Sequence, residues 1–152
     1  MDNNTIFKKE NIGLFTEYGH GVDTIQHILH SIGYTFENLD RKKTRDHGLS
    51  VIKELLNNNI IYVSHWGKYN DILSVLELNT KQTLLYIETL WSIGSNNLEF
   101  EEIINFYFQE WYLNALKHES INSDTNWEWF GNEFIPNLPL WIKKNGPKKN
   151  TA

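Results

Sequence analysis

Three side chains able to ligate a metal follow one another at helical spacing in "GHGVDTIQHILH": Asp23, His27 four residues on, and His30 three further. A carboxylate and two neutral imidazoles on one helical face, opposite the stripe Ile25, Ile28, Leu29 and Ile32, could hold zinc or nickel, with His20 as a further ligand from the preceding loop. That chemistry would make the chain a small metal-binding protein or a metal-dependent enzyme. Solvent-facing histidines beside an aspartate are also an ordinary surface feature, and the spacing is read that way, with no metal and no cofactor assigned. His65 and His118 stand alone. The bases Arg41, Lys42, Lys43 and Arg45 crowd the first turns of a helix, where positive charge opposes the macrodipole; they call for carboxylates elsewhere in the fold or for water. Glu101 and Glu102 project to different sides of their segment and have no adjacent base or nucleophile. There is no Gly-rich phosphate loop, no G-x-S-x-G and no H-E-x-x-H. The residues do not assemble a catalytic constellation, and the chain is expected not to be an enzyme.

The charges say more by their distribution than by their sum of -5. From Ser95 to Ile142 eight acids (Glu99, Glu101, Glu102, Glu110, Glu119, Asp124, Glu128 and Glu133) stand against one base, Lys117, while Lys143, Lys144, Lys148 and Lys149 follow in the tail. Such an acidic third repels phosphate backbones and attracts a basic protein, so direct nucleic-acid binding through it is not expected. The absence of cysteine among 152 residues removes disulfides, thiolate zinc sites and cysteine nucleophiles together, and fits a reducing cytoplasm. No stretch reaches the ~20 apolar residues of a membrane span.

Aromatic rings are the second resource. "FYFQEWYLNAL", Phe106 to Leu116, puts five of them into seven positions. On a helical wheel they and their aliphatic neighbours occur all the way round, the pattern of a central helix, and burying the five would supply roughly 20 kcal/mol of gross driving force. A core is therefore preferred over a ligand box or a membrane anchor. Tyr107 and Tyr112 are expected at its edge with their hydroxyls in water. "NWEWFGNEFIPNLPLW" differs: Trp127, Trp129, Phe130, Phe134 and Trp141 alternate with Glu128 and Glu133 on a segment rich in turn residues. That composition suits a docking face for a basic protein, or equally a lid wrapped over the core.

The elements that must position these groups are helical. A short helix starts near Asp23 and is stopped by Gly33, a second runs from a cap at Asn38 or Asp40 until Asn57-Asn58-Asn59 ends it, a third of about two turns runs from Asp71 through Leu78, and a fourth follows a cap at Asn79 or Thr80 and is broken by Gly94. The strongest spans about 99–117. "IIYVSHW" is β-branched and is read as a connector. Beyond it, only the first turn or two of the arm from Trp127 is expected to be regular, because of Gly131, Pro136 and Pro139. The fold class is thus all-α: a single-domain irregular bundle of five or six helices, with a loop-rich segment at 1–21, a helical core and aromatic arm at 22–142, and a basic flexible tail at 143–152.

With "LDRKKTRDHGLSVIKELL" leading to "SHW", then "LLYIETLWSIGS" and the acidic aromatic half, the chain resembles the immunity proteins of bacterial contact-dependent growth inhibition and related polymorphic-toxin systems. The resemblance is one of general pattern over residues 40 to 142, and no family binding residue carries over by position. It implies a cytoplasmic protein that binds and neutralises a cognate toxin C-terminal domain, often a basic nuclease. The acidic and aromatic residues best suited to that contact are Glu99, Glu102, Asp124, Trp127, Glu128, Trp129 and Glu133. A generic protein-interaction adaptor would differ only in its partner.

Overall fold

The protein is described from a computed structural model, which covers residues 6–16, 24–34, 42–91, 104–121 and 125–147. A short 3-10 helix, Lys9–Leu14, precedes α1, Ile25–Ser31. The Thr24 hydroxyl accepts from the His27 amide at 3.2 Å and so caps α1, whose buried Ile25, Ile28 and Leu29 fall on one stripe. Gly33, at φ 100°, lets the chain turn left-handed there, and the Tyr34 amide reaches back to the Leu29 carbonyl.

Helix α2, Lys42–Asn57, buries Thr44, Gly48, Val51, Ile52, Leu55 and Leu56, positions three and four apart that form one face. Gly48 is where helices come closest: a Cβ there would lie 2.6 Å from the Trp91 ring and 2.9 Å from Leu29 Cδ2. Of the bases at its start, Lys42 pairs with Asp46 at 2.5 Å on the same helix, and Arg45, 3.8 Å from the same carboxylate, makes its hydrogen bonds to carbonyls. Its guanidinium donates to the Glu88 and Trp91 carbonyls, each at 2.8 Å, at the end of α4, Thr80–Leu90. Positive charge that opposes one helix's dipole thereby complements another's. His47, on the same helix, lies 2.9 Å by its Nδ1 from the Tyr34 hydroxyl, and burial together with Lys43 and Lys8 lowers its pKa from the usual imidazole value.

Asn59 adopts φ 57°, ending α2, and the chain continues as β1, Ile61–His65. This is the first departure from an all-α reading, since β1 pairs antiparallel with β2, Asn105–Phe108, in the register Ile61↔Phe108, Tyr62↔Tyr107, Val63↔Phe106. Among the described residues the fold is mainly α with one two-stranded sheet. A helix over 99–117 is likewise corrected where it can be seen: residues 105–108 are strand, Gln109 is extended, and α5 occupies Glu110–His118; residues 99–103 lie outside the described ones. Phe106 and Phe108 are buried while Tyr107 between them is exposed, the alternation of a strand. Rings all round a helical wheel were a strand and a helix superposed on one period.

Between the sheet and α4 lie a 3-10 turn, Gly67–Tyr69, and α3, Asn70–Leu73, which is shorter than the helix through Leu78 expected from Asp71 onward: residues 74–76 are turn and bend. Helix α4 opens with a complete capping box, Asn79 Oδ1 accepting from the Gln82 amide at 2.8 Å and Gln82 Oε1 from the Asn79 amide at 3.0 Å. The last part of the chain is more regular than its prolines suggest. Helix α6, Trp127–Trp129, runs through a π turn, Phe130–Phe134, and a 3-10 turn, Ile135–Asn137, into α7, Leu138–Asn145. Pro136 and Pro139 are each the second residue of their element, where the N–H they lack has no helical partner to lose. Lys143 and Lys144, assigned from sequence to the tail, lie in the last turn of α7. Seven α-helices occur among the described residues.

One apolar cluster runs from Ile6 to Leu138 and takes side chains from every layer, including Phe15, Leu29, Ile52, Ile87, Trp91, Phe106 and Phe130. Tyr112 belongs to it completely. Contrary to the expectation of an edge position, its ring is fully buried and its hydroxyl donates to the Phe15 carbonyl, so burial pushes its pKa far above the usual phenol value. Tyr107, in contrast, keeps its place at the surface. No helix among the described residues is long and apolar enough to cross a membrane.

Candidate functional site

The acidic aromatic arm begins at Asn126, whose Oδ1 accepts from the Glu128 and Trp129 amides, both at 3.1 Å, and so fixes the first turn of α6. From there the rings divide by direction. Phe130 and Phe134 stack at 4.9 Å and 23°, Trp127 meets Phe130 edge-on at 5.3 Å, and Trp141 meets Phe134 at 5.2 Å. Trp141 continues the chain of rings to Tyr112 and Trp111 of α5 at 5.9 and 6.1 Å, and Tyr112 passes it to Phe108 of β2 at 5.1 Å. The arm is therefore a lid on its inner side.

Its outer side is different. Trp129 is 44% exposed yet held against Phe134 at 6.0 Å, and Glu128 and Glu133 on either side of it are exposed. Trp129 and Glu133, four residues apart, lie about one turn from each other across the π segment. Glu119, just after α5, accepts from Trp141 Nε1 at 3.4 Å. Among the described residues the ion pairs are those of Asp46 with Lys42 and Arg45, so Glu119, Glu128 and Glu133 are not neutralised by described lysines or arginines. Of the seven residues singled out from sequence, the structure brings Trp127, Glu128, Trp129 and Glu133 into one turn and a half, with Trp127 the most inward of them; Glu99, Glu102 and Asp124 lie outside the described residues.

What this surface can do chemically is bind. A rigidly backed indole gives apolar area at little entropic cost, and unpaired carboxylates around it favour lysine and arginine of a partner. The histidine face offers less: His27 and His30 are half-buried instead of facing solvent, and among the described residues no group of three His, Asp or Glu is close enough to hold a metal. Asp23 and His20 lie outside the described residues.

A second concavity escaped the sequence reading. A cleft of about 860 Å³ opens between β1 and the segment 70–83. Its walls carry amides from Asn59, Asn70, Asn79 and Gln109, hydroxyls from Ser64, Ser74, Thr80 and Thr83, and apolar surface from Trp66, Leu73 and Leu76, with no charged residue among them. Its lining comes from residues 56–66, 70–83 and Gln109, without a repeating spacing that would mark a concavity in the sequence. The polar pair Asn79-Thr80 is the local sign, and it reads equally well as a helix cap.

Compared with known proteins, the chain matches no family model, no curated protein and no solved structure.

Proposed function

We propose that this protein is a cytoplasmic, non-enzymatic immunity protein that binds a cognate bacterial toxin domain, a basic nuclease, through the acidic aromatic surface at Trp127, Glu128, Trp129 and Glu133, extended by Glu99, Glu102 and Asp124. The observation that carries the reading is Trp129, a large ring left at the surface but fixed from behind by Phe134, between two exposed glutamates without an ion-pair partner among the described residues. A nuclease must present positive charge to phosphate, and a carboxylate surface competes for that groove while steering encounter. The indole supplies the desolvated anchor at the centre.

The test uses the toxin domain encoded beside the gene. Charge reversal at Glu128→Lys and Glu133→Lys together should slow association about tenfold at low ionic strength and flatten its salt dependence. Trp129→Ala should weaken binding by about 2 kcal/mol through faster dissociation. Unchanged binding and salt dependence in both variants would move the contact to another face; absence of binding by the unaltered protein would remove the immunity reading.

A further inference from the structure

The 3-10 turn, α3 and the turn that follows it, residues 67–76, carry an apolar face of which the fold uses one edge. At about 100° per residue, Leu73, Tyr69, Leu76, Ile72 and Val75 follow one another round this segment. Their exposure climbs in that same order, from 6% at Leu73 in the core to 76% at Val75 at the far side. A helix that only covered its own core would turn polar past Tyr69. This one continues with Leu76, Ile72 and Val75, with the stem of Lys68 between the last two, and they meet water.

Four exposed charged residues surround the face along the chain: Lys68 one turn before Ile72 on the same side, Asp71 beside Val75, and Glu77 and Lys81 just beyond its end. None is in an ion pair among the described residues, and Lys68 extends its ammonium over the Tyr69 ring, 5.4 Å from its centre. Two charges of each sign make this surround neutral in a chain of net charge -5. A strongly basic partner, the kind the arm would attract, finds no charge preference here. A second copy related by a two-fold axis does, because a self-complementary contact needs each charge and its opposite within one patch.

We infer that this face is the docking site of a second copy of this chain, forming a two-fold homodimer with Ile72 and Val75 at its centre. Lys68 and Lys81 of each copy then face Asp71 and Glu77 of the other. The inference stands independently of the toxin-binding reading, since it concerns a different segment and a neutral surface. Because the apolar centre is only a few side chains wide, the dimer is weak, with a dissociation constant on the order of 10 µM.

Sedimentation equilibrium across about 1 to 500 µM should show the mass rising from 18.0 kDa toward twice that value. Ile72→Glu with Val75→Glu should hold the protein at the monomer mass with an unchanged far-ultraviolet circular dichroism spectrum. The charge variants give a second, independent reading. A Lys68→Glu, Lys81→Glu chain and an Asp71→Lys, Glu77→Lys chain should each be monomeric alone and should associate when mixed. A protein that is monomeric throughout, a dimer that survives Ile72→Glu with Val75→Glu, or charge variants that fail to associate on mixing would each overturn the inference.

Discussion

The Tyr112 hydroxyl is a polar group carried into the middle of the core, and its one partner there is the Phe15 carbonyl, 97 residues away in sequence. Two consequences follow from that bond. Tyr112→Phe leaves a buried carbonyl without its donor and should cost about 1–3 kcal/mol in urea unfolding. Because burial raises the phenol pKa in the folded state, the unfolded chain ionises first as pH climbs past its ordinary value near 10, and stability is lost from there upward. The gap between the protein and its Tyr112→Phe variant should therefore narrow above about pH 10 and stay constant below it; a gap independent of alkaline pH would mean the ring is open to water. A tyrosine in an aromatic run was visible in the sequence, but a side chain's burial depends on what lies across from it, and Phe15 gives no local sign of doing so. Arg45 teaches the same lesson: its positive charge in the first turn of α2 was legible as misplaced, whereas the carbonyls at the end of α4 that accept from it were not.

Helices with apolar stripes and punctuating residues were the readable elements. Helix α1 stops at Gly33, α2 ends among the three asparagines after Leu56, and α4 starts behind Asn79, because caps and left-handed residues act within a few positions of where they stand. The α4 capping box is the clearest instance. Asn79→Ala removes the acceptor for the Gln82 amide and should lower stability by about 1 kcal/mol, with Asn79→Ser nearly neutral; equal losses in the two variants would assign the effect to the cleft that Asn79 also lines. The sheet was the unreadable element. A strand of four or five residues shows two alternations at most, and Phe106, Tyr107 and Phe108 satisfy a helical wheel as well as a pleat. What decides between them is the partner strand, which lies far back in the chain and with which Tyr107 is in register at Tyr62.

At the scale of the molecule, the arm from Trp127 to Asn145 does two jobs at once: its inner rings close the core against β2 and α5, while its outer turn leaves Trp129, Glu128 and Glu133 to the solvent. The sequence left docking face and lid as alternatives; in the structure the inner side of one helical run is the lid, and the outer side, where the proposed contact would lie, is exposed. Sequence composition pointed to the acidic residues of this arm; that their backing is a continuous chain of rings required the tertiary contacts. The π turn at Phe130–Phe134 is what makes the division workable, and its consequence is one of phase. Such a turn amounts to one residue more than an α-helix would use over the same length, so everything after it is rotated by about 100° relative to α6. Excising the exposed Asn132 should let the run wind as an uninterrupted spiral and swing Trp141 away from Tyr112. The emission of Trp141 should then move toward that of a solvated indole, while that of Trp129 stays where it was. A single surplus amino acid thus acts as the gear tooth that keeps the outward indole and the inward one in their opposite orientations.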